Sequence, residues 1–388
     1  MCAVVQGSLK LPDPAAGAVD LLIVAAEHSG DAHAARMVAE ARAKSPGLRV
    51  SALGGPRLAA AGAQLLRDLT VGSTMGFAVL AKLSHYRALI AEVVRWVGEH
   101  KPRAVCFVDS SGLNLRIARG LFDRGYSAKA GGPTKALYYI SPQIWASRAG
   151  RRFAMAKHLD GVAAIFPFEP AAYADTTLPV EFVGHPLMAD DAALPVAFDP
   201  DGSILLLPGS RRQVVGRVFP VLLDAYAAAG AGRPAVALFP SGEIRGQLEK
   251  LKAASSAGSR VGLRAVGGEP VRAAAVLTAS GTMSLECASA GIPGALTYRT
   301  DPLTYYLGRL LVKVEFIGIA NLLLKEVMYP EFIQGAATPA ALAAQLRECL
   351  ESPVRRERTR AQAARLRGLL HAPTRGTAAD WLLRQLDT

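Results

Sequence analysis

A short loop in the second half of the chain combines residues that suit a phosphorylated nucleotide. Residues 208–211 read PGSR and follow an apolar run that is typical of a buried strand. Gly209 allows close backbone approach, the helix expected after Ser210 offers N–H donors, and Arg211 can bind a phosphate through two parallel hydrogen bonds. The loop therefore predicts a diphosphate site, although a helix-capping turn with a surface arginine fits the same residues.

A second loop, formed by Ser280, Gly281 and Thr282, also lies between an apolar run and a predicted helix. Small hydroxyl residues at a helix start can hold a phosphate, and Glu286 can accept hydrogen bonds from both hydroxyls of a ribose. The spacing therefore predicts a nucleotide site. In the alternative interpretation, Ser280 only caps the helix and Glu286 faces solvent.

Two carboxylates in the first half stand at the ends of predicted strands. Asp109 follows residues 104–108, and Glu27 follows residues 21–26. A buried carboxylate at the mouth of a crevice can have the raised pKa of a general base, and Asp109 is the first candidate for that role. Either residue could instead cap the helix that follows it. We interpret His185, which precedes a proline, as structural.

The sequence predicts neither a metal site nor a cofactor. No DxD pair ends a strand where it could hold Mg²⁺ against a diphosphate, because Asp190 and Asp191 fall in a predicted connection. The cysteines, at positions 2, 106, 287 and 349, lack CxxC spacing and predict neither a zinc site nor a disulfide. We therefore expect a metal-independent reaction, in which Arg211 and helix N-termini stabilise the leaving group.

The elements that position these residues alternate between short β-type runs and helical stretches, which is typical of parallel sheets covered by helices. We predict strands at 21–26, 51–53, 104–108, 136–140 and 161–166, with a helix at 32–43, and then strands at 204–207, 235–239, 261–266, 274–278 and 294–298. Functional loops are expected at 54–57, 109–114 and 141–145, and an irregular connection at 190–201. The fold class is α/β, with two open sheets whose strand ends face each other across a cleft.

Length and composition limit the class of protein. A chain of 388 residues predicts two domains, and no apolar run reaches the ~18 residues of a membrane-spanning helix. Residues 1–18 lack a secretory pattern, so we expect a cytoplasmic protein. The net charge of +12 indicates an anionic partner, either nucleic acid, a phosphorylated small molecule or an anionic membrane face. No nucleic-acid-binding module is recognisable, and we therefore expect no nucleic acid partner.

Nine short strings along the chain form a recognisable series. They are AEHSGDAH (26–33), GGPRLAAAG (54–62), MGFAVL (75–80), YYISPQIWA (138–146), FPFEPAAY (166–173), FVGHPL (182–187), PGSR (208–211), SGTMSLE (280–286) and NLLLKEVMYPEFIQ (321–334). In this order they resemble the lipid-A-disaccharide synthases, from about residue 21 to 345. Departures from the family's usual residues stand at Ala26, Gly112, Ser147, Val214 and Ala320.

The resemblance implies a GT-B architecture, with two Rossmann-like domains facing across a cleft. We assign residues 1–187 to an acceptor and membrane-side domain, 188–365 to a UDP-sugar-binding domain and 366–388 to a helical tail. The implied reaction is inverting transfer of 2,3-diacylglucosamine from its UDP derivative to the 6-hydroxyl of 2,3-diacylglucosamine 1-phosphate, with release of UDP. The implied location is the anionic inner face of the cytoplasmic membrane. The oligomeric state stays open, a homo-oligomer included.

The resemblance also implies site residues. The catalytic carboxylates are Asp109 and Glu27. The nucleotide-binding residues are Gly209, Ser210, Arg211, Ser280, Gly281, Thr282, Glu286, Asn321 and Gln334. The acceptor-binding residues are Ser29, Gly30, Asp31, Asn114, Ser141, Pro142 and Trp145.

Two alternatives remain. One is another GT-B enzyme acting on a UDP-sugar, either an N-acetylglucosaminyl transferase or an epimerase. The other is a non-catalytic lipid or nucleotide binder, suggested by the departures on the acceptor side. Residues 75–97 carry apolar side chains at near-helical spacing, which predicts either a face that dips into lipid or an ordinary core-facing helix.

Overall fold

Continuous apolar runs build two parallel sheets, one in each of two compact units. The computed structural model describes residues 10–15, 17–70, 79–188, 194–301, 305 and 315–387, with the backbone alone for 79–85. Described residues up to Pro186 and from Pro373 onward form the first unit, and those from Leu187 to Ala372 form the second.

The first unit contains a seven-stranded sheet in the order β3-β2-β1-β4-β5-β6-β7. Its strands are β1 (Leu21–Ala25), β2 (Val50–Gly54), β3 (Gln64–Asp68), β4 (Ala104–Val108), β5 (Lys135–Tyr139), β6 (Gly161–Ala164) and β7 (Val180–Phe182). Every residue of β1 and β4 is buried, as expected for parallel strands covered on both faces. Because the strand order reverses between β1 and β4, the loops after these two strands are the expected place for a ligand.

Helices flank this sheet. They are α1 (His28–Lys44), α2 (Pro56–Ala60), α3 (Val79–His100), α4 (Ser111–Asp123) and α5 (Arg151–His158). The described side chains of α3 at Leu89, Val93 and Val97 are buried, whereas Tyr86 is 43% exposed. The described part of the predicted 75–97 segment therefore packs largely into the core; residues 75–78 lie outside the described residues.

The second unit contains a six-stranded parallel sheet in the order β10-β9-β8-β11-β12-β13. Its strands are β8 (Val196–Leu207), β9 (Ala235–Phe239), β10 (Val261–Ala265), β11 (Val271–Ala279), β12 (Gly294–Tyr298) and β13 (Glu331–Ile333). Its helices are α6 (Arg212–Ala229), α7 (Gly242–Ala253), α8 (Thr282–Ser289), α9 (Ile319–Leu324), α10 (Pro339–Glu351) and α11 (Pro353–Leu370). The strand order reverses between β8 and β11, which gives this unit its own expected ligand edge.

A last helix, α12 (Ala378–Asp387), belongs to the first unit. Trp381 on this helix is 2% exposed, and a Cβ added at Gly161 in β6 would lie 3.5 Å from its ring. Lys44 at the end of α1 pairs with Asp380 at 2.6 Å. The sequence predicted a separate tail from residue 366, but residues up to Leu370 continue α11 and the segment from Pro373 completes the first unit.

Several predicted bounds differ from the structure. Helix α1 begins at His28 and not at residue 32, which places residues 29–31 in its first turn. Part of the connection expected at 190–201 is strand, since β8 begins at Val196; residues 189–193 lie outside the described residues. Two expected loops are partly helical, because α2 begins at Pro56 and α4 at Ser111. None of the helices in the described ranges is both long and apolar enough to cross a bilayer.

Candidate active site

Asp109 lies at the carboxyl end of β4, directly beside the end of β1, where Ala25 pairs with Val108. Its φ angle is +52°, and the φ angle of Ser110 is +44°. Residues other than glycine rarely adopt this left-handed conformation, and each such residue costs of order 1–3 kcal/mol unless its surroundings impose it. The strained turn is therefore located at the predicted general base.

Three hydrogen bonds from neighbouring elements fix this turn. The backbone N–H of Asp109 donates to the carbonyl oxygen of Tyr139 at 3.1 Å, and its own carbonyl accepts from Asn114 Nδ2 at 2.8 Å and from the hydroxyl of Tyr138. The N-cap position of α4 is Ser110, so the helix-capping alternative for Asp109 is not what the structure shows.

Asn114 is fully buried beneath the turn. Its Nδ2 also donates to the carbonyl of Val108 at 3.2 Å, and its Oδ1 has no hydrogen-bond partner among the described residues. We predicted this residue to bind the acceptor. Its amide holds the backbone of Asp109, so that Asn114 can act on the acceptor by positioning this carboxylate.

The first turn of α1 borders the same strand ends. Glu27 is the N-cap residue of α1, is exposed and makes no side-chain cap bond; Ser29 is also exposed. Gly30 is buried, and a Cβ added there would lie 3.5 Å from the carbonyl oxygen of Val108 and 3.9 Å from the Cβ of Asp109. Gly30 therefore permits the close packing of α1 beside the candidate base.

Asp31, which we predicted to contact the acceptor, makes its described hydrogen bonds within the protein. It is 2% exposed, and its carboxylate accepts from the backbone N–H groups of Gly55 at 2.8 Å, Arg57 at 3.1 Å and Leu58 at 3.2 Å. These donors are the free N–H groups at the start of α2. Asp31 therefore anchors the loop after β2 to α1.

Trp145, one of the predicted acceptor-binding residues after β5, contacts a buried carboxylate that we did not predict as a site residue. Trp145 Nε1 donates to Glu169 Oε1 at 3.3 Å. Glu169 is 1% exposed, and its Oε2 accepts from the backbone N–H groups of Ile165 and Phe166. Burial raises the pKa of Glu169 to about 7. The string FPFEPAAY includes Glu169, but nothing in the sequence indicates that this glutamate accepts a hydrogen bond from Trp145.

An aromatic cluster surrounds this carboxylate. The ring of Trp145 meets those of Phe166 and Phe168 edge-on, at centroid distances of 6.3 and 5.2 Å. His185 lies 5.1 Å from Phe166, and burial together with the charge of His33 lowers its pKa to about 3. The neutral, buried imidazole fits the structural role that we predicted.

Ser141 and Pro142 begin the same loop. The Ser141 side chain is buried, shares a 2.6 Å hydrogen bond with the Tyr173 hydroxyl and lies 3.1 Å from the Pro142 carbonyl oxygen. Burial raises the pKa of Tyr173 to about 12. The hydroxyl of Ser141 is thus engaged inside the protein, whereas Pro142 and Trp145 are half-buried.

In the second unit, the two predicted nucleotide loops follow adjacent parallel strands. Leu207 of β8 pairs with Thr278 of β11, so the loops leave the same edge of the sheet. Gly209 has φ of +99°, a conformation that favours glycine. Arg211 is the exposed N-cap residue of α6 and Gly281 is that of α8. Two helix N-termini and one arginine therefore meet at the strand-order reversal.

The capping alternatives are not supported for either loop. No side chain makes a cap hydrogen bond at the start of α6 or of α8. Ser210 and Thr282 are exposed, and Ser280 Oγ donates to the carbonyl oxygen of Ile317 at 3.0 Å. Ser280 therefore ties the loop after β11 to the segment before α9.

Glu286 lies in the second turn of α8 and is half-buried. The alternative interpretation, in which Glu286 faces solvent, is therefore not what the structure shows. The Oε2 of Glu286 is buried and has no hydrogen-bond partner within the described residues. Burial raises the pKa of this carboxyl to about 7. A buried acceptor without a partner is costly, so a ligand hydroxyl that donated to Glu286 would relieve that cost.

Asn321 and Gln334, both predicted to bind nucleotide, are engaged within the protein. Asn321 Nδ2 donates to the Tyr329 carbonyl and to Glu331 Oε1, and its Oδ1 accepts from the N–H groups of Met328 and Tyr329. Gln334 pairs with the backbone of Thr300, accepting at 2.9 Å and donating at 3.1 Å. These amides shape the loops beside the site rather than present free donors to a ligand.

Glu331 supports the same region. Its carboxylate accepts from the backbone N–H groups of Ile317 and Gly318, both at 2.9 Å. Because Ser280 holds the Ile317 carbonyl, the segment before α9 is fixed on both sides. Across the described ranges, no three His, Cys, Asp or Glu side chains come close enough to hold a metal ion.

Comparison with known proteins gives consistent results. A family model described as Lipid-A-disaccharide synthetase matches residues 21–381. A lipid-A-disaccharide synthase of Geobacter metallireducens is 35% identical, over 89% of this chain and 92% of that protein. One of Nitrosococcus oceani is 33% identical, over 94% and 96%.

Solved structures resemble the fold at low identity. A putative UDP-N-acetylglucosamine 2-epimerase from Listeria monocytogenes has a TM-score of 0.59 at 10% identity, over 94% of this chain and 95% of that one. Acinetobacter baumannii MurG has a TM-score of 0.51 at 14% identity, over 95% and 99%. With the two parallel sheets, these similarities confirm the predicted GT-B fold of two Rossmann-like domains.

Proposed function

The chain belongs to the lipid-A-disaccharide synthase family, and we propose that it joins UDP-2,3-diacylglucosamine to 2,3-diacylglucosamine 1-phosphate. It is a glycosyltransferase of lipid A biosynthesis. The acceptor's 6-hydroxyl would attack the anomeric carbon of the donor sugar while the bond from that carbon to the diphosphate oxygen breaks. UDP leaves with the electron pair, and the hydroxyl proton must go to a base.

The second unit would hold UDP at the edge formed by the loops after β8 and β11. Arg211 and the N-termini of α6 and α8 would neutralise the charge that develops on the departing diphosphate. Glu286 would accept from the ribose hydroxyls. The observation that carries this assignment is the buried Glu286 Oε2, which has no hydrogen-bond partner among the described residues and lies on the helix that begins at Thr282.

Asp109 would be the general base of the first unit, with Glu27 as the second candidate. A carboxylate in hydrogen-bond reach of a sugar hydroxyl typically contributes 10²–10⁴-fold through proton transfer. The left-handed turn and its three hydrogen bonds keep Asp109 at one position at the strand edge. Ser29 and Trp145 remain candidates for acceptor contact, with Gly30, Asp31, Asn114, Ser141 and Pro142 shaping the loops around them.

The test is incubation of the purified protein with both proposed substrates, with and without EDTA, followed by measurement of UDP and of the disaccharide product. We expect both products in equal amounts and no effect of EDTA. UDP-sugar conversion without acceptor would instead indicate an epimerase. UDP binding with no product in either condition would indicate a non-catalytic homologue.

We further propose that the protein works at an anionic membrane surface, where both lipid substrates reside. The net charge of +12 supports attraction to anionic headgroups. Such attraction is screened over about 8 Å at physiological salt. Flotation with anionic liposomes should therefore weaken as salt rises, and neutral liposomes should recover little protein. Binding that ignores both salt and lipid charge would contradict this electrostatic proposal.

A further inference from the structure

Two arginines lie in the turn that leads from β5 into α5, next to the strand that ends at Asp109. Arg148 is exposed and has a φ angle of +55°, and Arg151 is partly buried at the first position of α5. The backbone N–H of Arg151 donates to the carbonyl of Arg148 at 2.9 Å. A single tight turn thus carries both guanidinium groups.

Arg151 extends toward the candidate base. Its Nη1 lies 3.5 Å from the hydroxyl oxygen of Ser111, which is two residues after Asp109 and opens α4. A Cβ added at the following Gly112 would meet no atom within 4 Å, so the surface beside this guanidinium is open. A ligand at Arg151 would therefore be a close neighbour of the strained turn.

The charges in this turn are not balanced by carboxylates. Within the described ranges neither Arg148 nor Arg151 forms an ion pair, whereas the adjacent Arg152 pairs with Asp175 at 2.5 Å. Burial and the nearby charge of Arg148 lower the pKa of Arg151. Arginine nevertheless stays protonated in proteins, so two like charges remain close together. An anion would remove this repulsion.

We propose that Arg148 and Arg151 form an anion subsite that receives the phosphomonoester of the sugar acceptor while Asp109 receives its hydroxyl. Guanidinium groups match phosphate oxygens in pairs of parallel hydrogen bonds. Carbon 1, which bears the phosphate, and carbon 5, which bears the 6-hydroxymethyl group, both flank the ring oxygen of one sugar, so their two receiving groups must be near neighbours. This inference rests on the proposed function for the identity of the acceptor.

A direct binding experiment tests the subsite without turnover. Glucosamine 1-phosphate and glucosamine would be titrated into the UDP-saturated protein and followed by NMR. We expect wild type to prefer the phosphorylated sugar, and the double variant Arg148→Ala with Arg151→Ala to bind it roughly 10- to 100-fold more weakly, as for charge-assisted hydrogen bonds. Arg119→Ala is the matched control, because Arg119 lies on α4 but pairs with Asp123 at 3.3 Å.

Kinetics with a phosphorylated and a dephosphorylated acceptor then shows whether these arginines bind the acceptor phosphate or the phosphate of lipid headgroups. In neutral detergent micelles, Arg151→Ala should raise KM for 2,3-diacylglucosamine 1-phosphate by roughly tenfold or more, and leave KM for the dephosphorylated acceptor and UDP affinity unchanged. Arg151→Lys, which keeps the charge and loses the planar fork, should give an intermediate KM.

Two results would overturn the subsite. One is equal binding of both sugars by wild type and by the double variant. The other is a defect that follows the charge of added lipid and not the acceptor phosphate, which would assign these arginines to membrane headgroups. Failure of wild type to release UDP with either acceptor, alongside intact glucosamine 1-phosphate binding, would count against the proposed function alone.

Discussion

The hydroxyl of Tyr138 donates a hydrogen bond to the backbone carbonyl of Asp109. Tyr138 is fully buried in β5, and the same carbonyl accepts from Asn114 on α4. The left-handed turn is thus held from two different elements. Tyr138 can affect catalysis without contacting a substrate, because it positions the carboxylate that we propose as the base.

Tyr138→Phe should lower kcat by roughly 3- to 10-fold and leave KM for UDP-sugar nearly unchanged, since one neutral hydrogen bond is worth about 0.5–1.5 kcal/mol. The loss should vanish in an Asp109→Asn background, because the two residues act as a unit. Tyr139→Phe is the control, since Tyr139 points to the opposite face of the sheet. Equal losses in the two tyrosine variants would argue for a general packing effect.

Asp109→Asn should reduce turnover by ~10²–10⁴ and leave UDP affinity within a few-fold, because the amide keeps the shape but cannot accept the proton. Turnover and UDP binding would be measured on one preparation, with thermal melting to verify folding. Asp123→Asn, at the exposed end of α4, serves as the control. Near-full turnover in Asp109→Asn would transfer the role of base to Glu27.

Arg211→Ala should weaken UDP binding by roughly 1.5–3 kcal/mol, as expected for loss of charge-assisted hydrogen bonds to a diphosphate. Calorimetry with UDP measures this change. The next residue provides a matched control, because Arg212 is also exposed but pairs with Glu243 at 3.1 Å. A folded Arg211→Ala protein with an unchanged dissociation constant would remove this arginine from the nucleotide site.

Glu286→Gln should weaken binding of UDP more than binding of its 2′-deoxy analogue, since a neutral amide accepts less well from two ribose hydroxyls. The buried oxygen without a partner among the described residues is the reason to expect this selectivity. Calorimetry with both ligands gives the comparison. If the two ligands lost the same affinity, Glu286 would not read the ribose.

The raised pKa of Glu286 also predicts how stability changes with pH. Between its ordinary pKa of 4.5 and its folded value of about 7, the folded state keeps a proton that the unfolded state has released. The free energy of unfolding of the ligand-free protein should therefore fall as pH rises through this window. Glu286→Gln should remove that contribution, on the order of 1–3 kcal/mol by pH 8. Denaturant titrations giving parallel curves for both proteins at pH 5 and pH 8 would contradict the assignment.

The sequence predicted the sheet architecture well where strands are buried on both faces. The bounds of β4, β9 and β12 were exact, because short apolar runs between turns leave little choice. Strands β3, β7 and β13 were missed, since all three are edge strands that contain polar residues, and β7 and β13 have only three residues each. Their pairing depends on neighbours that are distant in the chain.

The residues predicted for the site follow the carboxyl ends of strands in both sheets, but the hydrogen-bond partners of several of them were not predicted. Asp31 and Gln334 carry groups that suit ligands, yet they are bonded to backbone 24 and 34 residues away. Asn321 is bonded to backbone that is closer in the chain, seven and eight residues further on. A sequence shows which side chains can donate or accept and not which partner they find. Arg148 and Arg151, which form no ion pair with any described residue, escaped notice for the same reason, because only the fold brings Arg151 to the start of α4.

Helix α12 makes the second unit an insertion within the first, since the chain leaves the first unit at Pro186 and re-enters it at Pro373. During synthesis the second unit is therefore complete while the sheet that carries Asp109 still lacks Trp381 and its helix. Residues 378–387 would have to emerge from the ribosome before β6 gained its packing against Trp381. Packing of the first unit is thus completed only after the second unit has been synthesised.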